Sequence, residues 1–194
     1  MERTMVFIDG NNFYNAAKHF LKQKPKFDII KMVDTICKKS TGNTYLLRTY
    51  FYTVNTPEQQ GLVSALKAAP RFTVNNKGYL QKIPIDTEII ESDKSTFVTT
   101  EKGTDINLVT DLLKGAYMNS YDKAIIVSAD GDYIGPINEI KNIGKIVEIV
   151  ITKRQPVNKE LRDTVDNIIE LEEDDFEKVW RGTYISARRS HTAT

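Results

Sequence analysis

Three segments of the chain place acids where an acid is costly unless it has work to do. Phe7-Ile8-Asp9-Gly10-Asn11-Asn12 closes an apolar run on an aspartate and then turns on a glycine. Lys102-Gly103-Thr104-Asp105 opens a helical pattern that also carries Asp111. Val127-Ser128-Ala129-Asp130-Gly131-Asp132 ends a second apolar run on an acid pair. Carboxylates crowded together repel, so either some stay protonated or a cation sits among them. Hard oxygen donors of this kind select Mg²⁺ or Mn²⁺, held by a few carboxylates and several waters. Each segment also has a plainer reading, because Asp, Asn and Gly are preferred in turns and helix caps. The case for a site rests on three separate segments aiming acids at one place.

Not every polar residue nearby carries equal weight. Asp105 and Asp111 lie six positions apart, about 120° around a regular helix, so Asp105 reaches a site from the helix entrance and Asp111 only sideways, or it orders a neighbour. Asn12 can both donate and accept, which suits a phosphate or a metal-bound water. Lys102 is placed to meet a phosphate, although a lysine at a helix entrance also serves as a solvated charge. His19 and His191 have no ligand pattern around them, and Cys37, the sole cysteine, sits in an amphipathic segment as a packed thiol. Tyr14, Tyr50, Tyr52 and Tyr79 could stack on bases, but tyrosine in strands is more often structural.

The elements that must position these acids alternate between apolar runs and helical patterns, the signature of a parallel sheet covered by helices. Strands are expected at Thr4–Asp9, Tyr45–Tyr52, Ala124–Ser128, Lys145–Ile151 and Ile168–Leu171. Helices are expected at Asn12–Gln23, at Ile29–Lys38 with Asp28 as cap, from Thr56-Pro57 to Pro70, and from a Thr104 or Asp105 cap to Met118. Further helices are expected at Ile134–Asn142, Asn158–Val165 and Asp174–Trp180, the last with Trp180 packed beneath it. Phe72–Val74, an Asn75–Gly78 turn and Tyr79–Ile85 suggest a hairpin interrupting the alternation and reaching toward Ile90. In open sheets of this kind, ligands bind beyond the carboxyl ends of strands where strand order reverses.

The 194 residues suffice for one well-buried core, read as one domain over 1–180 followed by a basic, disordered tail over 181–194 with Arg181, Arg188 and Arg189. No apolar run approaches the roughly 20 residues of a membrane span, and the start of the chain has no signal-peptide layout. These features and the cysteine count point to a cytoplasmic protein with no membrane partner. A net charge of +1 does not announce a nucleic-acid partner, but bases outnumber acids up to Phe97 and acids outnumber bases beyond it. Metal bound among the acids would make the working surface more positive.

The three acid segments together resemble the NYN-domain family of LabA-like proteins, part of the PIN-like nuclease group. The likeness continues through Gly144-Lys145-Ile146-Val147-Glu148, Glu160-Leu161-Arg162 and Asp166-Asn167-Ile168-Ile169. It implies a Rossmann-like three-layer α/β/α fold with a mainly parallel central sheet, and metal-dependent cleavage of RNA with Mg or Mn. Carried over by position, Asp9, Asp105 and Asp130 match the family's core acids, Asp132 and Asp111 its accessory acids, and Asn12 the asparagine after the first aspartate. The sequence has Asn11 where small residues are common and Ala129-Asp130-Gly131 where glycine and serine are usual, and neither departure removes a carboxylate. The hairpin from Phe72 to Ile90 falls where the family varies and is expected to shape substrate choice.

The expected chemistry is an in-line displacement between two hard cations held about 4 Å apart, one activating water and one stabilising the leaving oxygen. The alternative from another class is an RNA-binding regulatory module whose acids do not catalyse. An aspartate-nucleophile phosphotransferase fits less well, because Asn11 stands where that chemistry wants a second acid. A dinucleotide-binding dehydrogenase fits less still, since no Gly-x-Gly-x-x-Gly follows the first strand. The sequence is compatible with a homo-oligomer and does not choose an oligomeric state.

Overall fold

The structure is a computed structural model that describes residues 1–84 and 97–186. Strands β1 (Glu2–Asp9), β2 (Thr44–Val54), β3 (Phe72–Pro84), β4 (Phe97–Lys102), β5 (Lys123–Val127), β6 (Ile146–Thr152) and β7 (Asn167–Leu171) form one sheet in the order β4-β3-β2-β1-β5-β6-β7. Every neighbouring pair is parallel except β3 with β4, which makes an antiparallel edge. The chain winds outward one way from β1 through β2 and β3, then returns to β5 and winds the other way. The reversal therefore lies between β1, which ends on Asp9, and β5, which leads into the loop that carries Asp130.

Both faces of the sheet are covered, as the near-continuous apolar runs require. Alternation within a strand divides the core: Val6, Ile8, Ile125 and Val127 face α1 (Gly10–Leu21), α2 (Ile29–Lys39), α3 (Gln60–Ala68) and α7 (Glu173–Lys178). Phe7, Ala124, Ile126 and Val147 face α4 (Thr104–Tyr117), α5 (Ile134–Asn142) and α6 (Lys159–Thr164). The result is the three-layer α/β/α fold with a mainly parallel sheet. Lys123, fully buried at the amino end of β5, is held by Glu2 at 2.6 Å and Glu148 at 3.4 Å. No helix among the described residues is long and apolar enough to cross a membrane.

The local signals worked where one interaction decides them. Asp28 caps α2 by accepting from the amides of Ile30 and Lys31, and Asn158 caps α6 through the Glu160 amide. Two expectations fail. Asn75–Gly78 is not a turn: Phe72–Pro84 is one strand, and between Tyr52/Asn75 and Val54/Gly78 β3 advances one residue more than β2. That extra residue is a β-bulge, with Asn75 Oδ1 accepting from the Lys77 amide at 3.3 Å. Gly78 is needed there because a Cβ would lie 2.8 Å from Thr104 Cγ2 and 3.2 Å from the Thr53 carbonyl oxygen. The hairpin is instead formed by Tyr79–Pro84 against Phe97–Lys102, and its expected reach from Ile85 to Ile90 lies outside the described residues. The cap expected at Thr104 or Asp105 is the second failure, for Gly103 takes that position at φ +85° with no side-chain cap. A left-handed residue there turns β4 sharply into α4, which suits glycine.

The segment after Trp180 begins docked. Arg181 donates to Asp28 at 3.2 Å, the Tyr184 ring packs edge-on to Trp180, and Tyr184 Oη donates to Glu173 at 2.9 Å. The Ser186 hydroxyl reaches the same Glu173 oxygen at 2.7 Å. Residues 187–194, with Arg188, Arg189 and His191, lie outside the described residues.

Candidate active site

The parallel strands deliver two of the acids by construction. Asp9 is the last residue of β1 and also the cap of α1, its Oδ1 accepting from the Asn12 amide at 3.0 Å. Gly10 makes the turn possible, because a Cβ there would sit 2.6 Å from the Tyr52 carbonyl oxygen and 2.8 Å from the Phe51 ring. Asp130 follows β5, caps the 3-10 turn Gly131–Tyr133 through the Asp132 amide at 3.0 Å, and has its own amide bonded to Ser128 Oγ at 3.2 Å. Asp105 arrives from the first turn of α4, which packs against β1, β2 and β3. For Asp9 and Asp130, capping and lining the site are the same placement seen from two sides.

Asp9, Asp105 and Asp130 line one open cleft of about 360 Å³, together with Asn11, Asn12 and Asn15 of α1. Asn12 Oδ1 accepts from the Ala129 amide at 3.4 Å, tying the start of α1 to the Asp130 loop. Since that oxygen faces a donor, the amide nitrogen of Asn12 is left free to donate. Asp9 is only 5% exposed, and its carboxyl is pushed up to about 6. Burial is the main cause, and the charges of Asp105 and Asp130 add to it, while the Asn12 amide and the Tyr133 hydroxyl pull the other way.

Tyr133, buried beneath the cleft, is the residue sequence reasoning passed over. Its hydroxyl lies 3.3 Å from Asp9 Oδ2 and 3.1 Å from Asp105 Oδ1. One hydroxyl has one proton, so it donates to one carboxylate while the other faces a lone pair. Burial, followed by the charges of Asp9 and Asp105, holds the phenol far above its usual range, so it remains a donor. The only trace in the sequence is that a buried tyrosine must find a partner for its hydroxyl.

The remaining expected residues are placed differently. Asp111 sits a turn and a half further along α4, where its Oδ2 accepts from the buried Tyr52 hydroxyl at 3.0 Å. It orders a neighbour and does not line the cleft. Asp132 is exposed, contributing its backbone amide to Asp130, and Lys102 is exposed at the end of β4. Neither lines the cleft. Tyr50 stacks on Phe7 at 5.4 Å, so it and Tyr52 are packing residues.

No group of three His, Cys, Asp or Glu side chains among the described residues is arranged to hold a metal ion. The donor chemistry nevertheless fits Mg²⁺ or Mn²⁺: Mg²⁺ is ordinarily held by one or two carboxylates and keeps several waters, and does not need an all-protein cage. A raised Asp9 carboxyl beside two further acids is the electrostatic condition that a dication relieves.

Strand order and the place of the cleft make this a Rossmann-like α/β protein with acids at the reversal point of its sheet, where ligands bind in such folds. The NYN domain model matches residues 3–172, nearly the whole chain, and the protein belongs to the NYN-domain family. A crystal structure of a protein of unknown function from Vibrio parahaemolyticus has the same fold, with a TM-score of 0.64 at 20% identity over 89% of this chain and 94% of that one. No curated protein matches the chain.

Proposed function

We propose that the protein is a divalent-metal-dependent ribonuclease that cleaves RNA phosphodiester bonds in the Asp9–Asp105–Asp130 cleft. The observation that carries this reading is the convergence of three acids from separate elements on the reversal point, at the expense of ionising a buried Asp9. A buried Asp9 carboxylate that also feels the charges of Asp105 and Asp130 is disfavoured without a cation, and family membership supports a nuclease role for the cation's site. One or two of Asp9, Asp105 and Asp130 would hold Mg or Mn directly and the rest through its waters, and the ion when bound would supply activation of water and stabilisation of the leaving oxygen. Asn12 offers its amide nitrogen to a phosphate oxygen. Tyr133 donates from below to Asp9 or Asp105 and orients the carboxylate that accepts its proton. Asp132, Asp111 and Lys102 act, in this reading, at the margin: Asp132 through its amide, Asp111 through Tyr52, and Lys102 as an exposed charge.

The alternative reading is an RNA-binding regulatory module with the same fold. Incubation of the purified protein with mixed RNA and Mn²⁺ or Mg²⁺, with and without chelator, separates the two. Cleavage that chelator abolishes supports the enzyme; RNA binding without cleavage in any divalent metal supports the module.

A further inference from the structure

Beside the acidic cleft lies a second cavity of opposite charge. It has a volume of about 420 Å³ and is lined by His19 of α1, by Lys22 at the end of that helix, and by Lys153 and Arg154 of the loop after β6. Ala16 and Gln155 line both cavities, so the two adjoin along one face of α1. That face follows from helical spacing: Asn12, Ala16 and His19 recur at four and three residues. None of the four basic residues is near another in sequence beyond its own element. The fold brings them together, and for that reason His19 looked isolated in the sequence.

Lys153 is already paired, at 2.7 Å to Glu172. Lys22 and Arg154 make no ion pair among the described residues. Both have left-handed backbones, φ +52° and +63°. The side-chain oxygen Oε1 of Gln155 accepts from the Thr152 amide at 3.0 Å and from the Thr152 hydroxyl at 3.2 Å. A carbonyl that accepts from a backbone amide cannot be the amide nitrogen, so Gln155 keeps its NH₂ group for another acceptor at the junction of the two cavities. An acidic cleft repels a polyanion, and cations adjoining it offset that repulsion where the strand must pass.

We infer that this basic cavity is a phosphate-binding subsite: it takes the backbone phosphates of the same RNA strand whose scissile phosphate enters the acidic cleft, with Lys22 and Arg154 as the main contacts and Gln155 at the junction. The inference rests on the RNA reading of the cleft. Charge complementarity and the shared wall with the cleft commit the cavity to a nucleic-acid backbone.

The test is binding of a fluorescein-labelled 12-nucleotide oligouridylate in chelator, with the dissociation constant measured across a potassium chloride series. Lys22→Ala/Arg154→Ala should bind about tenfold more weakly, and the slope of log affinity against log salt should fall by about 1.4, because each single-strand phosphate contact contributes about 0.7. Lys31→Ala/Lys67→Ala, which removes two exposed charges on α2 and α3, should leave the slope as in the wild type. Melting temperatures of both variants establish that they fold, and Lys22→Arg/Arg154→Lys, which keeps both charges, should restore the slope. An unchanged slope in the first variant, an equal fall in the control, or a wild type that binds no oligonucleotide overturns the subsite. Cleavage in Mn²⁺ is scored separately: a slope difference without any cleavage sinks the nuclease reading and leaves the subsite standing, and cleavage without a slope difference does the reverse.

Discussion

Asp9→Asn should stabilise the metal-free protein while removing its activity. The Asp9 carboxyl rises from 3.8 to about 6 on folding. At about 1.4 kcal/mol per unit, keeping it ionised above pH 6 costs the fold about 3 kcal/mol. Asparagine removes that cost and keeps an oxygen for the Asn12 amide, but it gives up the Tyr133 contact to Oδ2, a loss of about 1 kcal/mol. The net gain near pH 7.5 is therefore about 2 kcal/mol, or about 4–8 °C in Tm for a chain of this size. The sign follows from linkage. A carboxyl whose folded value lies above its unfolded one costs nothing below pH 3.8, costs progressively more up to about 6, and costs its full amount above that. The stabilisation should thus shrink as pH falls through this window and reverse slightly below it, where only the lost hydrogen bond remains. Thermal unfolding in chelator from pH 4 to 8 measures it. An Asp9→Asn protein that melts below wild type at pH 7.5, or an offset independent of pH, would refute the electrostatic account of the site.

Tyr133→Phe should lower stability by about 1 kcal/mol through loss of one buried hydrogen bond, and should reduce cleavage more than RNA binding, as seen by parallel melts and rate measurements. Gly10→Ala should destabilise by about 3 kcal/mol or abolish folding, since the new methyl meets backbone 2.6 Å away; a normal denaturant midpoint would show that the turn can shift. Truncation after Ser186 should leave Tm unchanged, whereas truncation after Trp180 should lower it by removing the Arg181, Tyr184 and Ser186 contacts. If the shorter cut alone weakens RNA binding, residues 187–194 contact the substrate.

Where a single local interaction decides the structure, the sequence was legible. Ile134–Asn142 emerges as a helix with its expected bounds, because its period and the glycine after it admit no other reading. Asp9 and Asp130 were legible because an acid ending an apolar parallel strand can only lie at the strand's carboxyl end. Asn75–Gly78 misled because asparagine and glycine serve a bulge as well as a turn, and only the partner strand tells which. Asp111, expected to reach the site sideways or to order a neighbour, accepts from Tyr52, and that meeting depended on packing between α4 and β2. Tyr133 and the basic cavity were invisible for the same reason. Each depends on residues that are far apart in sequence and meet only once the sheet has formed.

The central claim is tested most directly by Asp130→Asn. The substitution keeps the oxygen that accepts from the Asp132 amide, so the turn into α5 and the fold should survive. It removes one of the charges that would hold Mg or Mn. With purified wild type and variant, labelled RNA and Mn²⁺, the account predicts cleavage by wild type that chelator abolishes, and from the variant RNA binding as tight or tighter with cleavage reduced by at least about a hundredfold. Cleavage by the variant at the wild-type rate would contradict the assignment of the site, and binding without cleavage by wild type in every divalent metal would hand the protein to the RNA-binding reading.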